Sequence, residues 1–135
     1  MLVKKITYTD YNGMERAEDF YFNISRAELM ELELGTSGGI HQKIERLQQT
    51  IDGPEIMKLF KELITLAICE KSPDGRRLLK SPEISNAFLQ TEAYSVLLME
   101  LLSDPEKASV FMKAILPDVS NLEENRDKPN IIPMS

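Results

Sequence analysis

The sequence has few of the residues from which catalytic and metal sites are built. Its 135 residues include no tryptophan, one histidine (His41) and one cysteine (Cys69). One cysteine excludes an internal disulfide framework and a cysteine zinc cluster. A single histidine without a nucleophile motif gives little support for catalysis. We interpret His41 as a surface or helix-start residue and Cys69 as an inert buried thiol, and we expect neither a metal nor a cofactor.

Long apolar runs and an excess of positive charge are also missing. No run approaches the roughly 20 apolar residues that span a bilayer, and Met1-Leu2-Val3-Lys4-Lys5 lacks the apolar stretch of a secretory signal. The 16 Lys and Arg against 22 Asp and Glu give a net charge of −6. Such a surface repels duplex nucleic acid and anionic membranes. We therefore expect a cytoplasmic protein without a nucleic-acid or membrane partner.

The N-terminal segment predicts a β-hairpin. Ile6 and Tyr8 share one face of the first strand, and the Asp10-Tyr11-Asn12-Gly13 stretch has a sequence typical of a tight turn. The second strand runs to about Phe22, with Phe20 on the same face as Phe22. Because an isolated hairpin is marginal in water, this aromatic face must pack on the rest of the chain.

The remainder of the chain predicts about six helices. Ser25 and Glu28 form a capping box, and Ile24 and Leu29 a hydrophobic staple. Periodicity and capping place the helices at about 25–35, 40–51, 54–70, 81–90, 91–103 and 104–117. The predicted fold is α+β and mostly α: an N-terminal hairpin on a bundle of about six helices in one domain over 1–117, and a disordered tail over 118–135.

Several features have two interpretations. Arg76, Arg77 and Lys80 form the only basic cluster, and we expect them to pair with nearby carboxylates (Glu70, Asp74 and Glu83) rather than to bind phosphate.

Methionine fills core gaps but also lines adaptable binding surfaces. The helical methionines are therefore either core residues or part of a chaperone-like surface: Met30, Met57, Met99 and Met112.

Five stretches resemble one protein family in the same order. They are Tyr8-Thr9-Asp10-Tyr11-Asn12-Gly13, Glu18-Asp19-Phe20-Tyr21-Phe22-Asn23, Ser25-Arg26-Ala27-Glu28-Leu29, Glu70-Lys71-Ser72-Pro73-Asp74-Gly75-Arg76-Arg77 with Lys80-Ser81, and Phe88-Leu89-Gln90-Thr91-Glu92-Ala93-Tyr94-Ser95. The chain resembles, over about residues 3–117, the tail assembly chaperones of long-tailed (siphovirus-type) phages and prophages of Gram-positive bacteria.

This resemblance implies a non-enzymatic protein of the host cytoplasm that is absent from the mature virion. It would bind the long, helical tape measure protein, keep it soluble and help recruit tail tube subunits. The alternatives are a structural virion protein retained in the tail or the head–tail connector, a nucleic-acid-binding regulator, and an enzyme. The negative charge disfavours the regulator, and the lack of a nucleophile–base constellation disfavours the enzyme.

We expect the partner to dock in a groove between the third helix and the helix from Tyr94 to Leu102, whose predicted inward stripe includes both of these residues. The free edge of the hairpin is a second option, for a partner strand or for a homo-oligomer. The predicted partner-binding residues are Phe20, Phe22, Met57, Phe60, Tyr94 and Leu98.

Overall fold

The computed structural model describes residues 1–49 and 53–117, and the side chains of 47–49 are not described. These residues form six helices and four strands, which confirms a mostly helical α+β fold with an N-terminal hairpin. The elements are β1 (Leu2–Thr9), β2 (Glu15–Phe22), α1 (Arg26–Gly35), α2 (Ile40–Gln49), α3 (Gly53–Ala67), β3 (Ile68–Lys71), β4 (Leu78–Leu79), α4 (Pro82–Leu89), α5 (Glu92–Ser103) and α6 (Pro105–Ile115). The predictions for residue 51 and for the tail over 118–135 lie outside the described residues.

The hairpin of β1 and β2 has the predicted turn. Leu2 pairs with Phe22 and Thr9 with Glu15, in an antiparallel ladder. Gly13 closes the turn by donating its N–H to the Asp10 carbonyl at 3.0 Å, with a φ of 81° that favours glycine. Local signals in the sequence are therefore enough to predict the turn, whereas the stability of the hairpin also depends on its packing against the helices.

The sheet is larger than the hairpin, with four antiparallel strands in the order β1-β2-β3-β4. The predicted third helix is wrong at its end, because the chain leaves the helix at Ala67 and continues as β3. Ile68 and Cys69 are buried and pair with Phe22 and Tyr21 of β2. This pairing satisfies the C-terminal end of the second edge of β2, which a longer helix would leave open.

The predicted start of α1 is confirmed. The Glu28 N–H donates to Ser25 Oγ at 3.1 Å, and the Ser25 N–H donates to Glu28 Oε1 at 2.9 Å. Ile24 and Leu29 are both fully buried, as the staple requires. Because the cap orients the chain as it leaves β2, α1 begins beside the sheet.

The core lies between the sheet and the helices. Phe22 contacts two helical aromatic rings, Phe88 of α4 with centroids 5.7 Å apart and Phe111 of α6 at 5.3 Å. α5 packs against β1, and two polar contacts link it to the hairpin. Lys4 Nζ lies 3.3 Å from Glu100 Oε1, and the Tyr11 hydroxyl donates to Glu92 Oε1 at 3.1 Å.

Candidate functional site

Three of the six predicted partner-binding residues meet in the aromatic core. Phe20 lies 5.1 Å from Phe88, between ring centroids, and Tyr94 lies 6.0 Å from the same ring. Phe22 contacts Phe88 from the sheet and is fully buried. Phe20 and Phe22 therefore hold the sheet on α4, and Tyr94 joins α4 to α5. Their part in partner binding stays a prediction.

The other three predicted residues lie on α3 and α5. Met57 is 48% exposed, Phe60 is partly buried against the core, and Leu98 is buried. The two helices contact each other. Met57 is the most accessible of the six residues, and partner binding by these three also stays a prediction.

α5 carries an apolar stripe on its outer side. Val96, Met99 and Leu102 are 38%, 64% and 41% exposed, and their spacing of three places them on neighbouring turns of one side. We call these three residues the α5 outer stripe. Assigning Leu102 to the inward face was wrong, because Leu97 and Leu101 already fill that side.

Apolar residues surround most of α5. Its inner side buries Ala93, Leu97, Leu98 and Leu101. A helix that is apolar on all sides is normally enclosed, yet this one has its outer stripe in solvent. The sequence indicated only that Met99 was either a core or a surface residue. The structure places Met99 and Met57 on the surface and Met112 in the core.

A groove lies between α3 and α4, with a volume of about 790 Å³. We call it the α3–α4 groove. Leu66, Ile68 and Pro82 contribute apolar surface, and Lys58 and Lys61 are exposed at its wall. Within residues 1–49 and 53–117, neither of these lysines forms an ion pair.

Lys80 also lines the groove, but its charge is paired. Its Nζ lies 2.7 Å from Glu28 Oε1 and donates to the Asn23 carbonyl at 2.6 Å. Lys80 thus pairs with a carboxylate, as expected, but the predicted partners Glu70, Asp74 and Glu83 were wrong, because the fold brings Glu28 of α1 against it. Burial alone would raise the pKa of Glu28, but hydrogen bonds from Lys80 and Ser25 outweigh it and lower that pKa.

The two residues first considered for chemistry have structural environments. His41 lies in the first turn of α2, as predicted, with its Nδ1 3.0 Å from Glu33 Oε1. That carboxylate also accepts the Ile40 N–H at 3.0 Å, so α1 caps α2. Burial in β3 raises the pKa of the Cys69 thiol, which keeps it protonated and unreactive.

Among the residues that the structure describes, no group of three or more His, Cys, Asp or Glu side chains could hold a metal ion. No helix in the same part of the chain combines the length and apolar character needed to cross a bilayer.

The outer edge of β1 has no neighbouring strand in the described part of the chain. An unpaired strand edge can accept a strand from a partner protein or from a second copy of the chain. Val3 is exposed beside this edge. Binding of a partner strand and self-association at this edge both stay predictions.

Together, the α5 outer stripe, the α3–α4 groove and the β1 edge define a small α+β domain with surfaces suited to binding protein segments. A family model described as phage tail assembly chaperone matches residues 1–129. The chain therefore belongs to the phage tail assembly chaperone family. No curated protein and no solved structure matches the chain.

Proposed function

We propose that the protein is a non-enzymatic chaperone that binds the tape measure protein, keeps it soluble and helps recruit tail tube subunits. The proposal places it in the cytoplasm of an infected or lysogenic bacterium and outside the mature virion. It also assigns the protein to a long-tailed phage of a Gram-positive host. The observation that carries the proposal is the family match over residues 1–129.

The α5 outer stripe is the surface that we assign to the tape measure protein. Its three apolar side chains are spaced as a partner helix requires, because an amphipathic helix presents its own anchors every three or four residues. Met99 is the most exposed of the three, and its flexible thioether adapts to different apolar partners. Met57 offers a second contact on α3.

The first test is co-expression with the tape measure protein of the same phage or prophage, followed by pull-down and a sedimentation assay for solubility. We expect the two proteins to co-purify and the tape measure protein to stay in the soluble fraction. An insoluble tape measure protein without a complex, together with this chain in purified particles by mass spectrometry, would favour the structural virion protein instead.

A matched pair of variants tests the surface. Met99→Asp places a charge in the α5 outer stripe, and we expect binding to weaken by about 2 kcal/mol or more, roughly thirtyfold, as at other binding hot spots. Leu34→Asp is the control, because Leu34 is also helical, apolar and exposed (83%). Circular dichroism should show both variants folded. Equal binding by the two variants would exclude the stripe and leave the chaperone role standing.

A further inference from the structure

The α3–α4 groove combines apolar lining with two lysines that form no ion pair within residues 1–49 and 53–117, and with one exposed carboxylate, that of Glu62. Leu66 and Ile68 line it from α3 and β3, and Lys58 and Lys61 stand beside them. Glu28 already neutralises Lys80. An occupant that carries an apolar side chain next to carboxylates suits this groove, because its charge complements the two lysines, of which Glu62 can match only one.

The end of α6 lies close to the groove. The Ile115 carbonyl accepts the Ile24 N–H at 2.9 Å. The carbonyl of the same peptide unit, that of Asn23, accepts Lys80 Nζ at 2.6 Å. One peptide unit therefore separates the end of α6 from a side chain that lines the groove, and the chain continues past Pro117 from this point.

The segment that follows has the composition that the groove requires. It reads Asp118-Val119-Ser120-Asn121-Leu122-Glu123-Glu124, so that two apolar residues three positions apart precede a pair of carboxylates. The five residues from Pro117 to Leu122 span up to about 17 Å when extended. A tether this short gives an effective concentration in the millimolar range, so modest contacts are enough for binding.

We propose that residues 119–124 bind in the α3–α4 groove of their own chain. Leu122 contacts the apolar lining, and Glu123 and Glu124 pair with Lys58 and Lys61. This inference rests on the groove, the position where α6 ends and the sequence beyond it. It does not depend on the chaperone function.

Paramagnetic relaxation in the full-length chain tests the contact. A nitroxide is attached to Asn125→Cys in a Cys69→Ala background, and its effect on backbone amide signals is measured by NMR. We expect strong broadening at Lys58 and Lys61 and none at Gly13, in the hairpin turn. The double variant E123K/E124K should reduce the broadening about fivefold, since both exposed ion pairs become repulsive.

The charge-swapped chain is the matched control. Adding K58E/K61E to E123K/E124K restores opposite charges, and the broadening should return. If Cys69→Ala does not fold, amide shifts of the natural chain and of E123K/E124K are compared instead. We then expect the differences outside 118–135 to be confined to the groove.

Three results would overturn the proposal. The first is an absence of broadening at the groove, or shift differences elsewhere in the alternative experiment. The second is broadening that the charge reversal leaves unchanged. The third comes from mixing isotope-labelled chains that carry no nitroxide with spin-labelled chains of natural isotope content. If the broadening in this mixture equals that within a single spin-labelled chain, the contact is between copies.

Discussion

The sheet-facing side and the outer side of the helical layer are both apolar, but only one of them is buried. Leu97 and Phe111 pack towards Phe22 with almost no exposure, whereas Val96 and Met99 of the same layer stand in solvent. The core therefore does not account for all the apolar residues of these helices. The surplus on the outer side is what a binding protein needs and a domain without a partner does not.

The largest expected effect is on the sheet-facing side, at Phe22. Phe22→Ala removes a fully buried ring between two helical aromatic rings, and we expect a loss of about 3–5 kcal/mol in the free energy of unfolding. Urea denaturation monitored by circular dichroism measures it. An unchanged melting temperature together with lost partner binding would instead make this side an interface.

Substitutions at two residues of α5 allow a direct comparison of the buried, sheet-facing side with the exposed, outer side. Leu97→Ala should cost about 2–4 kcal/mol because it leaves a cavity in the core. Met99→Ala should change the free energy of unfolding by less than about 0.5 kcal/mol, as an exposed substitution does. Denaturation of both variants under the same conditions measures the difference. Equal losses would show that Met99 is enclosed and would remove the distinction between the two sides.

Two lysines of the α3–α4 groove allow a similar comparison, between a charge that is paired and one that stands in solvent. Lys80→Met breaks a partly buried pair with Glu28, and we expect a cost of about 1–3 kcal/mol at pH 7, as for hydrogen bonds to charged groups. Lys61→Met should cost close to nothing, because the described structure gives Lys61 no ion pair.

The cost at Lys80 should depend on pH. Since the folded protein lowers the pKa of Glu28, the pair stabilises the fold above the usual pKa of 4.5 and is lost as the pH falls through the lower, folded value. Denaturation curves from pH 7 to pH 3 should show the natural chain and Lys80→Met converging at the acid end. A constant gap between them would contradict the ion-pair explanation.

The last and mildest test leaves the sequence unchanged and uses the reactivity of the Cys69 thiol to ask whether the sheet-facing side is closed to solvent. Cys69 is buried in β3, so a thiol reagent should react with the native protein at least about a hundredfold more slowly than with the unfolded chain. The rate is measured by absorbance with and without urea. Comparable rates would show that β3 opens readily and that this side is less enclosed than the contacts indicate.

The local features of the fold could be predicted from the sequence. The hairpin turn at Gly13 and the capping box of Ser25 and Glu28 depend only on neighbouring residues, and the structure confirms both. β3 could not be predicted in this way. Ile68 and Cys69 continue an apolar run, and periodicity does not distinguish a short strand in such a run from the end of a helix.

The candidate site was predictable only in part. Apolar residues surround most of α5 and hide which side faces the sheet, so periodicity assigns Leu102 to the inward side and does not decide between core and surface for Met99. The pairing of Lys80 with Glu28 joins residues that are far apart in the sequence and has no local signal. The fold, rather than the helix pattern, decides which of these side chains are available to a partner.

The position of β3 in the chain sets the order in which the protein can be completed during synthesis. A ribosome releases the hairpin first, but the second edge of β2 cannot pair until residues 68 and 69 have been synthesised. The contact between Phe22 and Phe111 forms later still, after the residues between them have been synthesised. At ordinary rates of translation this interval lasts about 5–20 s. Until Phe111 is added, one side of the Phe22 ring has no helical ring to cover it, and a neighbouring polypeptide can contact the nascent chain there.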